Sequence, residues 1–316
     1  MSASVISRRI ALVAFMRYGI PSCIMSNKPR ALAYTLSCVA LWALIPAVSK
    51  LGQDGLDSHQ FLFWSSLVSF IAFAVASAAG GKLPALRAYR AKDWALMVAL
   101  GLLGTYVYYI LLYLGYARAE GFEVLVLQYT WPVFIVLLSV PILRERFTAR
   151  RAISCALGFA SVALALTKGN LAGVRLGNLC VDAYVLVGAL SFALFSVLGK
   201  KASFEPFTMN AVFFLVATVA SAVSMTAFSS FAPPPARACL PVLVNGLFVN
   251  GFSYVLWIKA LRAADASFVA PFVFLTPVVA AFYLVAFFSA PILPVYGVAL
   301  ALVVAAGFVN GKGNPP

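Results

Sequence analysis

The side chains best placed to do chemistry in this sequence are aromatic rings and one amide, set where the chain is otherwise apolar. Val126-Leu127-Gln128-Tyr129-Thr130-Trp131-Pro132 lies in the middle of a long apolar block. On a helix, Gln128, Trp131 and Pro132 stand at i, i+3 and i+4 and share one face. An amide turned toward hydrocarbon would have no partner, so that face looks inward. Tryptophan and tyrosine ordinarily gather at the two membrane interfaces, not at mid-depth. The chemistry on offer is noncovalent. The Trp131 indole can stack an aromatic or apolar molecule while Gln128 or Tyr129 hydrogen-bonds its polar end. The competing reading is plain helix packing around an internally satisfied glutamine.

A second group sits further back in the chain. Tyr106, Tyr109 and Tyr113 recur at helical spacing, with Tyr108 turned elsewhere alongside Thr105. In the second half, Asn250, Tyr254 and Trp257 share a face, with Ser253 nearby. Trp42 and Pro46, together with Phe192 and Ser196, would supply the remaining walls of a small-molecule cavity. Pro46, Pro132, Pro271 and Pro277 fall inside apolar blocks, where a missing N–H permits a kink. Pro46, Pro132 and Pro277 are the candidate hinges.

Other chemistries find little support. None of the nine acidic residues falls at the centre of an apolar block; Glu123, Asp182 and Asp265 lie near block ends. Intramembrane carboxylates are the usual cation or proton relays, so a neutral, apolar zwitterion suits these residues better than a cationic drug. His59 is the only histidine and stands at a block start. Cys23, Cys38, Cys155, Cys180 and Cys239 are scattered, with no CxxC or Cys/His spacing. No metal site or cofactor is expected. An intramembrane enzyme would want paired acids or a nucleophile with its base, and a channel a charged ring or filter; neither pattern is present.

The elements that must position these residues follow from composition. Of 316 residues, 63% are apolar and only 10% charged, against about a quarter charged in soluble domains. The apolar residues fall in blocks of roughly twenty, enough to cross a hydrocarbon core of about 30 Å as a helix. The alternating short segments of a barrel are not seen. The expectation is an all-α polytopic membrane protein of ten transmembrane helices. The spans run near 31–51, 59–79, 94–116, 122–143, 150–167, 179–199, 207–229, 240–261, 266–289 and 291–310.

The net charge of +14 reads as positive-inside topology, not as nucleic-acid binding. Most of the Lys and Arg alternate onto one side, in clusters such as Lys82/Arg87/Arg90/Lys92 and Arg144/Arg146/Arg150/Arg151. Only Lys50, Arg118, Lys168, Arg175 and Arg237 fall on the other. Both termini are therefore expected in the cytoplasm, with the chain in a bacterial-type inner membrane. Residues 1–30 form a cytoplasmic N-terminal segment. Met25-Ser26-Asn27-Lys28-Pro29-Arg30 reads like a natural start, which would make 1–24 an upstream extension.

The halves resemble each other. Trp42-Ala43-Leu44 with Lys50 matches Phe192-Ala193-Leu194 with Lys200 at a shift of 150. At a shift of 145, Gly101 matches Gly246, Tyr109 matches Tyr254, and Pro132-Val133 matches Pro277-Val278. The expected units are residues 31–168 and 179–310. Five spans per unit is odd, so the second must insert inverted, a construction that places a transported molecule at the repeat interface near mid-depth.

Ten spans in a five-plus-five repeat resemble the drug/metabolite transporter superfamily, in particular its EamA-type members. The closest likeness runs from Ala117 to Lys168, with Pro132 inside span 4, Leu143-Arg144-Glu145 at its end and Gly158 in span 5. Two positions depart from that pattern. Trp64 replaces the basic residue often found early in span 2, and Phe288-Ser289-Ala290-Pro291 lacks the acid that closes span 9. The aromatic richness of spans 3 and 4 is most similar to the YddG-type aromatic amino acid exporters. The resemblance implies alternating-access export or facilitation of aromatic or apolar amino acids, by a monomer or homodimer whose partners are a small-molecule substrate and the lipid bilayer. The alternative is an EamA-type transporter of another small metabolite.

Overall fold

The computed structural model describes residues 27–116, 118, 121–170, 179–288 and 293–311. The expected start-site extension, Arg175, Glu120 and the Ser289-Ala290-Pro291 stretch lie outside the described residues, as does the Glu123 side chain. Among the described residues all regular structure is helical, and ten helices are long and apolar enough to cross a membrane. They are α1 (Lys28–Gln53), α2 (Ser58–Ala79), α3 (Ala91–Tyr116), α4 (Gly121–Leu143) and α5 (Ala149–Leu166). The second half holds α6 (Leu179–Lys201), α7 (Pro206–Phe228), α8 (Ala236–Ala263), α9 (Ala266–Phe288) and α10 (Pro294–Gly311). Large apolar side chains such as Val75, Leu137, Val187, Val219 and Phe308 face outward. Helices apolar on the outside as well as the inside belong in lipid, and the protein is a multi-pass membrane protein.

Helix ends are set locally. Asp57 caps α2 by accepting from the backbone N–H of Gln60, whose side chain accepts from Asp57 N–H in return. Glu205 caps α7 and Thr148 caps α5 in the same sense. The face carrying Lys28, the α2–α3, α4–α5, α6–α7 and α8–α9 turns, and Gly311 holds the lysine and arginine clusters. It is called the basic face below.

The two halves exchange equivalent contacts. α1 packs on α8 as α3 packs on α6, while α2 meets α7 and α5 meets α10. The match extends to atoms. Cys38 Sγ of α1 contacts the Ser253 carbonyl at 3.3 Å, and a Cβ at Gly188 of α6 would stand 3.4 Å from the Tyr108 carbonyl. Cys38 and Gly188, and Tyr108 and Ser253, are repeat partners at the shifts read from sequence. Both α3 and α8 also widen into a π-helical stretch at the same register, Leu102–Val107 and Asn245–Phe252.

These close approaches need glycine. A Cβ on Gly101 would lie 3.0 Å from Phe213 Cα, and one on its partner Gly246 would lie 2.8 Å from the Ser65 carbonyl and 2.6 Å from Val68 Cβ. Both pairs are fixed by neighbouring backbone bonds, Thr105 Oγ1 to Phe213 O (3.0 Å) and Ser69 Oγ to Gly246 O (2.7 Å). Gly246→Ala therefore forces α2 and α8 apart. It is expected to cost about 1–3 kcal/mol, seen as a lower thermal midpoint in detergent, with Gly101→Ala milder.

Of two small-residue spacings in the sequence, Ser154/Gly158 and Ala301/Ala305, only the first forms a buried seam. Ser154 and Gly158 do seat α5, through Ser154 Oγ to Ala306 O (2.8 Å) and the Phe274 ring against Gly158. On α10 the seam is Ala299, Val303 and Ala306, while Ala301 is exposed. Ala301 stands about 200° of helical phase from Ala299 and Val303, and the side-chain amide of α10, Asn310, marks the inward face by donating to Phe268 O at 2.7 Å.

Candidate functional site

Three helices are interrupted at mid-length, each just before a proline. α1 breaks at Ala43–Leu44 and restarts at Ile45-Pro46. α4 breaks at Tyr129–Thr130 and restarts at Trp131-Pro132. α9 tightens to a 3₁₀ stretch over Ala270–Leu275 and resumes at Thr276-Pro277. Proline fits the second position of a new helix because its missing N–H is unneeded there. The three candidate hinges thus all stand where a helix restarts. Interrupted helices meeting at one depth are how membrane proteins bring polar backbone to a binding site.

The breaks converge on a cavity lined by Trp42, Ile45, Tyr108, Tyr109, Gln128, Tyr129, Trp131, Phe192, Val273 and Thr276. Around it the rings form a cage. Trp131 meets Phe192 at 4.9 Å, Trp257 at 5.5 Å and Trp42 at 5.9 Å between centroids, all near edge-on. Phe192 in turn lies 4.7 Å from Tyr108. Edge-to-face pairs of this kind contribute about 0.5–1.5 kcal/mol each beyond burial. The indole N–H groups of two walls are anchored, Trp42 Nε1 to Ser253 Oγ at 2.8 Å and Trp257 Nε1 to Ser196 Oγ at 3.0 Å. Gln128 Nε2 donates to the Tyr108 hydroxyl at 2.7 Å, so the one amide at the cavity is held in place by a ring.

The repeat partners meet here. Trp42 lies edge-on to Phe192 at 6.2 Å, Tyr109 faces Tyr254, and Trp131 and Thr276 line the same cavity. The cavity is thus lined by residues of both halves. The cavity measures about 30 Å³, room for a water or two. An amino acid fits only when the rings part.

Seven of the sequence-nominated binding residues line the cavity: Trp42, Tyr108, Tyr109, Gln128, Tyr129, Trp131 and Phe192. Trp257 and Tyr254 stand one layer back; Tyr254 donates to the Gly104 carbonyl at 3.0 Å and packs on Phe192. Asn250 is buried with both side-chain polar atoms unpartnered, and it is not among the lining residues. Helical spacing also misjudged α3. Tyr108 faces the cavity and Tyr106 is only half-buried, because the π-helical stretch just before Tyr108 advances the phase. In α4 the i, i+3, i+4 argument assumed an unbroken helix; Gln128 ends one segment and Trp131 begins the next. Ile45, Val273 and Thr276 were not nominated. Applying the 145 shift to Trp131-Pro132 points directly at Thr276-Pro277, a signal present in the sequence.

On the basic face a polar latch joins the two halves. Arg144 ends α4 in the left-handed conformation (φ 57°), turning the chain so that Glu145 points back at the second half. Its Oε1 accepts from Lys200 Nζ and from Ala266 N–H, both at 2.8 Å. Its Oε2 accepts from Ser267 N–H at 3.0 Å and from Ser267 Oγ. Lys200 also donates to the Ala264 carbonyl at 2.8 Å, and Arg151 pairs with Asp265. One carboxylate thus joins the α4–α5 turn to the ends of α6 and α9. Burial pushes the Glu145 carboxyl up, but Lys200 and the Ser267 donors outweigh it and hold the group below its ordinary value. The residue at the 145 shift from Glu145 is Ala290, so the second half carries no acid at the matching position of the sequence.

Comparison with known proteins agrees with this architecture. A transporter of Archaeoglobus fulgidus without a described function is 24% identical over 79% of this chain and 85% of its own length. The uncharacterised transporter YoaV of Bacillus subtilis is 27% identical over 60% of this chain and 64% of its own length. A protein of known crystal structure superposes with a TM-score of 0.78 at 20% identity, covering 90% of this chain and 96% of that one. The sequence matches the EamA-like transporter family over residues 29–167 and 180–310, a span containing every helix break and every cage residue, and this chain is a member of that family.

Proposed function

We propose that this transporter moves aromatic or other apolar amino acids and related metabolites by alternating access, with the aromatic cage as its binding site. The observation that carries the reading is the meeting of three interrupted helices at a ring-lined cavity whose one amide is Gln128. Rings stack a flat apolar side chain; the amide, the Tyr108 and Tyr109 hydroxyls and the freed backbone at the breaks serve the zwitterionic end. Among the described residues no Asp or Glu lines the cavity, which favours a molecule of no net charge. With the basic face taken as cytoplasmic, as the arginine and lysine bias implies, the latched state is closed inward.

The test is flux of labelled phenylalanine and tryptophan into proteoliposomes of the purified chain, against empty liposomes. Saturable flux with mutual competition is the expected result. Absence of flux in folded protein would sink the aromatic reading and leave a transporter of another metabolite. Gln128→Leu keeps the volume and removes the donor and acceptor. A hydrogen bond to a charged group contributes about 1.5–3 kcal/mol, so half-saturation should rise roughly tenfold or more. An unchanged half-saturation would move the polar anchor off Gln128.

A further inference from the structure

A second cavity lies away from the cage, on the outer surface between α4 and α5. These helices are joined by the short turn Arg144–Thr148, yet each finds its main partner elsewhere, α4 on α6 and α5 on α10. They splay, and a groove of about 420 Å³ opens between them. Its walls include Thr130, Phe134 and Leu137 of α4 and Ala152, Ala156 and Phe159 of α5. It runs from the α4 break to Phe147, which stands more than half exposed at the basic-face end. The walls are almost wholly apolar, and Leu137 and Ala156 are open to the outside. In a bilayer such a groove faces acyl chains.

The mouth supplies the other half of the recognition. Arg144 and Arg146 are exposed beside Phe147, at the basic-face end of the groove. The acid in this turn, Glu145, is turned inward and bound by Lys200 and Ser267. Positive charge is thus left at the end of an apolar slot, which complements an anionic headgroup on a hydrocarbon tail.

The geometry points to an anionic glycerophospholipid seated here, one acyl chain in the α4–α5 groove and its phosphate against Arg144 and Arg146. The tail ends against Thr130, at the break that presents Trp131 to the cage. The lipid thereby braces the broken helix from its outer side.

The experiment is thermal unfolding of the delipidated chain in detergent, titrated with phosphatidylglycerol or with phosphatidylcholine of the same acyl chains. Phosphatidylglycerol should raise the midpoint at lower concentration than phosphatidylcholine. Arg146→Gln should shift the half-maximal concentration up roughly fivefold. Ala156→Phe fills the groove from an exposed position; it should keep the lipid-free midpoint and lose the phosphatidylglycerol response. Should Ala156→Phe lower the lipid-free midpoint, Ala152→Leu takes its place with the same expected loss, and native mass spectrometry should show wild type retaining one phosphatidylglycerol that the filled variant releases. Equal responses to the two lipids in wild type, or a full phosphatidylglycerol response in the filled variant, overturns the assignment. A dimer that dissociates on filling the groove would also overturn it, making the groove a seam between two copies.

Discussion

Trp131→Ala is expected to reduce saturable phenylalanine flux at least tenfold, the largest loss of any single cage substitution. Trp131 contacts Trp42, Phe192 and Trp257 at once and stands on the restarted half of α4. Its removal deletes the stacking surface and releases its neighbours. A tenfold loss corresponds to about 1.4 kcal/mol, within what one aromatic contact plus its buried area provides. Deleting a buried Trp also costs about 3–5 kcal/mol of stability, so lost flux alone proves little. Trp131→Phe separates the effects: it keeps a ring, and should keep most of the flux. Should Trp131→Ala fold and carry wild-type flux, the cage is a packing core and the substrate passes elsewhere.

Glu145→Ala is the second large effect, and it acts on the gate. The substitution strands Lys200 and the two N–H groups at the start of α9. Removing one partner of a buried, hydrogen-bonded ion pair costs about 3–5 kcal/mol; here the Glu145 side chain is 6% exposed and Lys200 19%. That is enough to shift a closed state toward one open on the basic face. A cysteine introduced at Ala264, itself buried, should react with an impermeant maleimide from that face at least tenfold faster in the variant. Glu145→Gln/Lys200→Gln together should be closer to wild type than Glu145→Ala, since no charge is left stranded. Identical labelling in all three would reduce the latch to a surface contact.

The pH response follows from the same carboxylate. Its value in the folded protein lies below the ordinary 4.5, so the unfolded or unlatched chain binds the proton more readily. The latch's contribution is complete above the ordinary value and is lost as pH falls through the lowered one. Maleimide labelling at position 264 should therefore be flat between about pH 6 and 8 and rise only under stronger acid.

How much of this was legible beforehand depends on what each feature leaves in the residues. The span limits could be read closely because a crossing needs an unbroken apolar run of fixed length. The repeat was legible from residues such as Gly101 and Gly246, each of which lets another helix's backbone approach. Trp131 and Gln128 were legible because a ring and an amide at mid-depth need a reason. Helical spacing put Tyr106 in one stripe with Tyr109, but Tyr108 and Tyr109 line the cavity, since a π-helical stretch has no sequence mark and shifts everything after it. Asn250 was set on a cavity face because an amide in an apolar helix invites it, and the structure buries it outside the cavity lining.

What the sequence alone determined is the membrane class, the ten spans, the paired halves and the identity of the ring-rich segments. These rest on composition, length and local spacing, which each stretch of chain carries by itself. Only the tertiary structure decided that three proline restarts meet at one depth, that Thr276 and Val273 join the cage, and that Glu145 reaches Lys200 and Ser267 across the halves. It also decided that α4 and α5 part to leave a groove. Helices this uniformly apolar give little local preference for one rotation over another. Which face turns inward is settled by backbone contacts at glycines and by the few polar groups that must find partners, and those partners lie a hundred or more residues away.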